Sequence, residues 1–144
     1  MKVHKCEDRV RRYEKAIGRE RKVASMWFWI FMFVCNNLIP LTMWGIGIWF
    51  EKKPPTGINA VFGYRTKRSM RSQEAWDFAQ RYMGHMWKKA GAVLIIVSVM
   101  VSTAMYGMSE DGIGYASVIL IHIQLAILLI SIYPVEKALK KNFE

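Results

Sequence analysis

The sequence predicts an all-α integral membrane protein of three transmembrane helices, with an interfacial amphipathic helix between the first and second. Three observations lead there. The 144 residues are 53% hydrophobic yet 22% charged, with a formal net charge of +10, and the two classes occupy separate blocks. Three uncharged runs, residues 23–50, 90–109 and 112–135, each reach the roughly 17–25 residues a helix needs to cross a hydrocarbon core. Aromatic rings gather where these runs end: Trp27, Trp29, Trp44, Trp49 and Phe50 on the first, Trp87 and Tyr106 around the second, Tyr115 and Tyr133 on the third. Such rings sit well at headgroup depth.

Composition removes several other classes. Cys6 and Cys35 are too few for a disulfide scaffold and match no zinc spacing, so no metal or cofactor is expected. A pI near 9.8 would suit a nucleic-acid partner, but the hydrophobic fraction and the lack of any binding module argue against one. The expected partner for the charge is a bilayer with anionic headgroups.

Residues 1–25 form a basic N-terminal segment with nine Lys or Arg. Val3, Cys6, Val10, Tyr13 and Ile17 recur at helical spacing through that charge. A basic amphipathic helix of this kind lies on an anionic membrane surface, pairs with a partner helix, or stands as a solvated arm.

The membrane domain, 26–144, follows. Its spans are expected at about 26–50, 90–108 and 112–135. Asn36 and Asn37 fall near the middle of the first span, Ser98 and Ser102 in the second, His122 and Gln124 in the third. Their similar depth suggests one polar layer, used either for interhelical hydrogen bonds or as a small cavity for a ligand or proton. Pro40 removes a backbone hydrogen bond in the first span, and Gly45 and Gly47 permit close packing beyond it.

Residues 51–89 carry the motif loop and the interfacial helix. Pro54, Pro55 and Gly57 break the chain, and Ser72 is a helix N-cap with Glu74 in the first turn. Ala75, Trp76, Ala79, Tyr82, Met83, Met86 and Trp87 then share one helical face. Within the loop, Gly63 suits a positive-φ turn, Tyr64 an interfacial position with a wet hydroxyl, and Arg65 a phosphate or carboxylate. The same residues, with Asn59, Thr66, Ser69 and Trp76, would also serve simply to lock the loop onto the helices.

Charge sets the orientation. Residues 51–90 hold nine basic residues and 136–144 three, while the 108–112 connection holds only Glu110 and Asp111. The loop 51–89 and the C-terminus are therefore expected in the cytoplasm, with the acidic connection outside. The N-terminal tail conflicts: three crossings put its nine positive charges outside. Either the twelve inside charges outvote it, or the Asn36–Pro40 stretch turns the first segment into a re-entrant hairpin.

The chain resembles the SdpI-type bacterial immunity proteins, as a short single-domain member. The resemblance rests on Gly63-Tyr64-Arg65-Thr66, Ser69-Met70, Trp76, Ala79 and Gly84, with Asn59 before them, Pro40 in the preceding span, and Pro134-Val-Glu136 and Leu139-Lys-Lys after the third. It covers about residues 36–144. Gln80 stands where many members carry Asn, and longer members add membrane segments. The resemblance implies a multi-pass bacterial membrane protein conferring resistance to an antimicrobial peptide toxin. No G-x-S-x-G, H-E-x-x-H, Walker or Rossmann pattern points to an enzyme. The alternative is a membrane signalling or scaffold protein that recruits a soluble regulator through its basic loop. A third is a small lipid-binding or transport component using His122 and Asn36.

Overall fold

A computed structural model describes residues 2–59 and 61–143, with side chains at residue 9 and from residue 11 onward. Four helices account for most of these: α1 (Lys2–Lys52), α2 (Gln73–Ala104), α3 (Glu110–Ile130) and α4 (Ile132–Phe143). The rest of the described chain is turns and loops, without strands. Three stretches are long and apolar enough to cross a membrane: Arg11–Lys52, Gln73–Ala104 and Glu110–Phe143. The three-span architecture is thus present.

Helix α1 is 51 residues long, about 75 Å at 1.5 Å per residue. It passes through Pro40 and the two asparagines without reversing, so the re-entrant hairpin does not form. Its basic N-terminal part continues the span as a single helix. Arg19 and Lys22 share a cleft with Tyr106 and Met108, so this part leaves the bundle at the α2–α3 end. Tyr13 and Ile17 are exposed there. The side chains of Val3, Cys6 and Val10, the rest of the expected stripe, lie outside the described residues.

The expected interfacial helix does not stand as an element of its own. Residues 73–89 are the first turns of α2, which runs unbroken into the second span. No proline interrupts the polar-to-apolar boundary at Lys88 and Lys89, and Lys88 Nζ donates to Glu51 Oε2 at the end of α1. Ser72 caps α2 as expected, accepting from Ala75 N at 3.1 Å.

Helices α1 and α2 form an antiparallel hairpin. Trp29 Nε1 donates to the Ser102 carbonyl at 2.8 Å near one end, and Glu51 meets Lys88 near the other. Three glycines set the distance between the backbones. A methyl group added at Gly91 would stand 2.6 Å from Trp44 N, one at Gly84 2.9 Å from Glu51 N, and one at Gly47 would collide with Lys88 N. Without a hydrophobic drive in lipid, such close backbone approach supplies much of the packing energy. Gly45, also expected at a contact, faces open space.

Helix α3 closes against α1 through the polar layer described below. Helix α4 turns away at Ser131, where Pro134 cannot donate to the carbonyl four residues back, and lies against the first half of α2. The hydrophobic core is at this end: Phe50, Tyr64, Ala75, Ala79, Met83, Val135 and Leu139. Along the spans the large apolar side chains point outward, Phe31, Ile96, Ile119 and Leu129 among them. That inverted pattern suits lipid as the surrounding solvent.

Candidate functional site

The loop between α1 and α2 is built in layers. Asn59 Oδ1 accepts from Val61 N at 3.1 Å and Phe62 N at 2.8 Å, and its Nδ2 donates to the Gly57 carbonyl, a side-chain turn that Asn is suited to make. Phe62 is thereby set against Trp49 and Phe50, ring centroids 5.3 and 5.2 Å apart. Gly63 follows at φ +121°, a conformation that an L side chain resists. A Cβ there would also press on the Trp76 ring at 3.1 Å.

Tyr64 is the anchor. The Gln80 amide satisfies both backbone groups of Tyr64, accepting from its N–H at 2.7 Å and donating to its carbonyl at 3.0 Å. Ser69 Oγ donates to the same carbonyl at 2.9 Å and accepts from Thr66 N at 2.9 Å. Ser69 N in turn donates to Thr66 Oγ1 at 3.2 Å. Trp76, fully buried, donates its indole N–H to the Pro55 carbonyl at 2.8 Å.

The sequence suggests a wet Tyr64 hydroxyl; in the structure it is instead tucked against α4. It donates to Glu136 Oε1 at 3.0 Å and lies 3.3 Å from the Ile132 carbonyl. Burial, then the neighbouring Glu136 carboxylate, pushes the Tyr64 phenol above its ordinary range. Arg68 Nη1 reaches the other carboxylate oxygen of Glu136 at 2.9 Å. At Glu136, past the apolar run, desolvation pushes the carboxyl up. Hydrogen bonds from Thr66, Arg68 and Tyr64, with the arginine's charge, outweigh it and hold the group below the usual carboxylate range.

Arg65 differs from its neighbours. It is exposed and makes no hydrogen bond or ion pair among the described residues. Arg65 lines a groove of about 460 Å³ between the loop, α1, α2 and the α3–α4 junction. The structure therefore divides the motif. Asn59, Gly63, Tyr64, Thr66, Ser69 and Trp76 hold the loop, and Arg65 is presented by it.

The intramembrane polar residues divide too. Asn36 Nδ2 donates to Ser102 Oγ at 3.2 Å and to Ser117 Oγ at 3.0 Å. Gln124 Nε2 donates to Ser98 Oγ at 2.6 Å and to the Asn36 carbonyl at 3.0 Å. All five are buried and tie the three spans together. Asn37, though buried, bonds back to the Phe33 carbonyl of its own helix. His122 is not part of the layer. It is exposed and its Nδ1 meets the Val118 carbonyl at 2.7 Å, because residues two apart on a helix point to opposite sides. Ser117, one heptad before Gln124, takes its place.

Residues 56–135 match the SdpI/YfhL protein family. The chain belongs to that family. The matched stretch opens in the loop before Asn59 and runs to Val135, taking in the GYRT motif, α2 and α3. The relative named "Uncharacterized protein YfhL", from Bacillus subtilis (strain 168), is 35% identical over 60 residues, which cover 42% of this chain and 54% of that protein. The chain thus spans about half the length of the relative it matches. No solved structure matches. As an SdpI/YfhL family member with three apolar spans, the chain is a multi-pass membrane protein. Sequence reasoning undervalued Gln80, treated as a departure from Asn, and Glu136, seen only as part of a closing motif. The signal for both was their position in the family pattern, without a reason for it. That reason is their grip on Tyr64.

Proposed function

We propose that the chain is an integral membrane immunity protein that protects a bacterium from an antimicrobial peptide toxin. Its loop and C-terminus face the cytoplasm, and it has no catalytic step. Family membership supports this reading. The observation that carries it is the division of the motif: a buried set of hydrogen bonds fixes the loop so that Arg65, exposed and without a partner among the described residues, lines a groove on the membrane border. A fixed loop loses little entropy on binding, and a planar guanidinium suits a carboxylate. The membrane helices then bind the toxin, or compete with its insertion, with the loop as a rigid buttress.

The test is expression in a host sensitive to a secreted peptide toxin, with and without Arg65→Ala. Protection that depends on Arg65 supports the reading, and killing unchanged by expression counts against it. Exposed Lys52, Lys53 and Lys67 favour a second reading, a signalling or scaffold protein whose loop recruits a soluble regulator. Capture of one specific soluble protein by the full chain, lost when these lysines are neutralised, would favour that alternative. Reporter fusions at each terminus test orientation: this reading expects the C-terminus inside and the basic N-terminus outside.

A further inference from the structure

The groove beside Arg65 is chemically two-sided. Ile46 and Phe50 of α1, Met83 and Trp87 of α2, and Leu128 and Ile132 around the α3–α4 junction supply apolar walls. The loop lines another side with Arg65. At about 460 Å³ the groove falls within the ~300–1,000 Å³ usual for small-molecule sites. It begins at the motif loop and reaches back to Ile46, inside the first apolar run, so it crosses from headgroup depth into the hydrocarbon.

The charge around it is unbalanced. Glu51 is engaged by Lys88 and His85, and Glu136 by Arg68 and Tyr64. Arg65 has no such partner among the described residues, and Lys67 stands exposed two residues on. An exposed arginine at the rim of an apolar trough is complementary to an amphiphile with an anionic head and a hydrocarbon tail. We propose that the groove is a binding site for one anionic phospholipid, its phosphate on Arg65 and an acyl chain along Phe50, Trp87 and Leu128. The bidentate fork of arginine fits phosphate oxygens, and Trp87 Nε1, already bonded to Ser131 Oγ at 2.9 Å, presents its ring rather than a polar atom to the chain. This assignment does not depend on the toxin reading, since lipid retention and protection from killing are separate measurements.

The experiment is native mass spectrometry of the full chain released from vesicles of equal phosphatidylglycerol and phosphatidylcholine. The wild type is expected to retain one phosphatidylglycerol in preference to phosphatidylcholine. Arg65→Gln should lower that retention about tenfold, the loss of one charge-assisted contact, while Lys67→Gln leaves it within about twofold. Leu128→Trp, which fills the trough and keeps the arginine, should displace the lipid as well. Helical content and elution volume establish that each variant is folded. If Arg65→Gln is not, Arg65→Lys is read in its place and should weaken retention several-fold, having lost the fork. Equal retention by wild type and the Arg65 variant overturns the proposal. So does an equal loss with Lys67→Gln, which would mean a diffuse basic surface, or displacement of the lipid by millimolar inorganic phosphate, which would mean a site for the free anion.

Discussion

Gln124 of α3 donates to the backbone carbonyl of Asn36 in α1, at 3.0 Å. That carbonyl is the one Pro40 leaves without a helical donor, because Pro40 stands four residues on and has no N–H. In hydrocarbon an unsatisfied carbonyl is costly, and here a side chain from another span supplies the hydrogen bond. The proline thus creates an acceptor in the middle of the bilayer, and the glutamine turns it into a contact between spans. Asn36 completes the junction by donating to Ser102 and Ser117.

A double-mutant cycle tests this dependence. Gln124→Leu alone should cost about 1–2 kcal/mol, since it strands the carbonyl but also removes the glutamine's own unpaired oxygen. In a Pro40→Ala background the alanine N–H serves the carbonyl, and the same substitution should cost about 1 kcal/mol less. Unfolding in mixed micelles measures both. Equal costs in the two backgrounds would show that the proline and glutamine act independently.

The glycines of the α1–α2 hairpin give a contrast within one residue type. Gly91→Leu must push apart backbones so close that even a single methyl would lie 2.6 Å from Trp44 N, so it should destabilise by about 3 kcal/mol or more. Gly45→Ala adds its methyl to open space and should be neutral or slightly stabilising. Thermal stability of the purified variants separates them, and comparable losses at both positions would refute the packing assignment.

Apolar runs made the three spans legible, because crossing a bilayer needs length and low charge whatever the neighbours. Depth along the chain is legible as well, and Asn36, Ser98, Ser102 and Gln124, similar in depth, do join through hydrogen bonds. Facing was not. His122 shares their depth but stands two residues from Gln124, and only rotation about the helix separates them. The setting of the interfacial helix is hidden for a related reason. An amphipathic pattern over 73–89 looks the same whether a helix lies on a membrane or packs on α4 through Phe78 and Phe143, whose centroids are 5.6 Å apart. Nor does sequence tell an exposed arginine from a structural one. Arg65 and Arg68 are three residues apart, and only the position of Glu136 on a distant helix makes the second a strut.

His122 offers a direct check on that distinction. Its only described hydrogen bond is to a carbonyl of its own helix, and its side chain is exposed. His122→Leu should therefore change stability by no more than about 0.5 kcal/mol and leave the layer intact. A loss of activity at unchanged protein level would instead make it functional and favour a lipid or transport role.

Gln80 should behave in the opposite way. Gln80→Leu keeps its volume but leaves the N–H of Tyr64 buried without an acceptor and removes one of two donors to its carbonyl. The expected cost is about 2–3 kcal/mol, with faster proteolysis of the loop at its basic residues. Gln80→Asn keeps the amide on a shorter stem, so it should lose less. A leucine variant as stable as wild type would mean that Ser69 alone fixes the loop.

Tyr64 and Arg65 are adjacent, yet stability and activity should separate cleanly between them. Tyr64→Phe removes one hydroxyl from a buried junction and should cost about 1–2 kcal/mol, since Glu136 keeps Arg68 as a partner. Protection from a toxin should survive this as long as the fold does. Arg65→Ala removes an exposed side chain without a described partner, so stability should shift by less than about 0.5 kcal/mol while protection is lost. Melting curves and survival assays on the two variants read the two quantities independently. If Arg65→Ala also destabilises by more than about 1 kcal/mol, the arginine is part of the scaffold and the division of the motif fails.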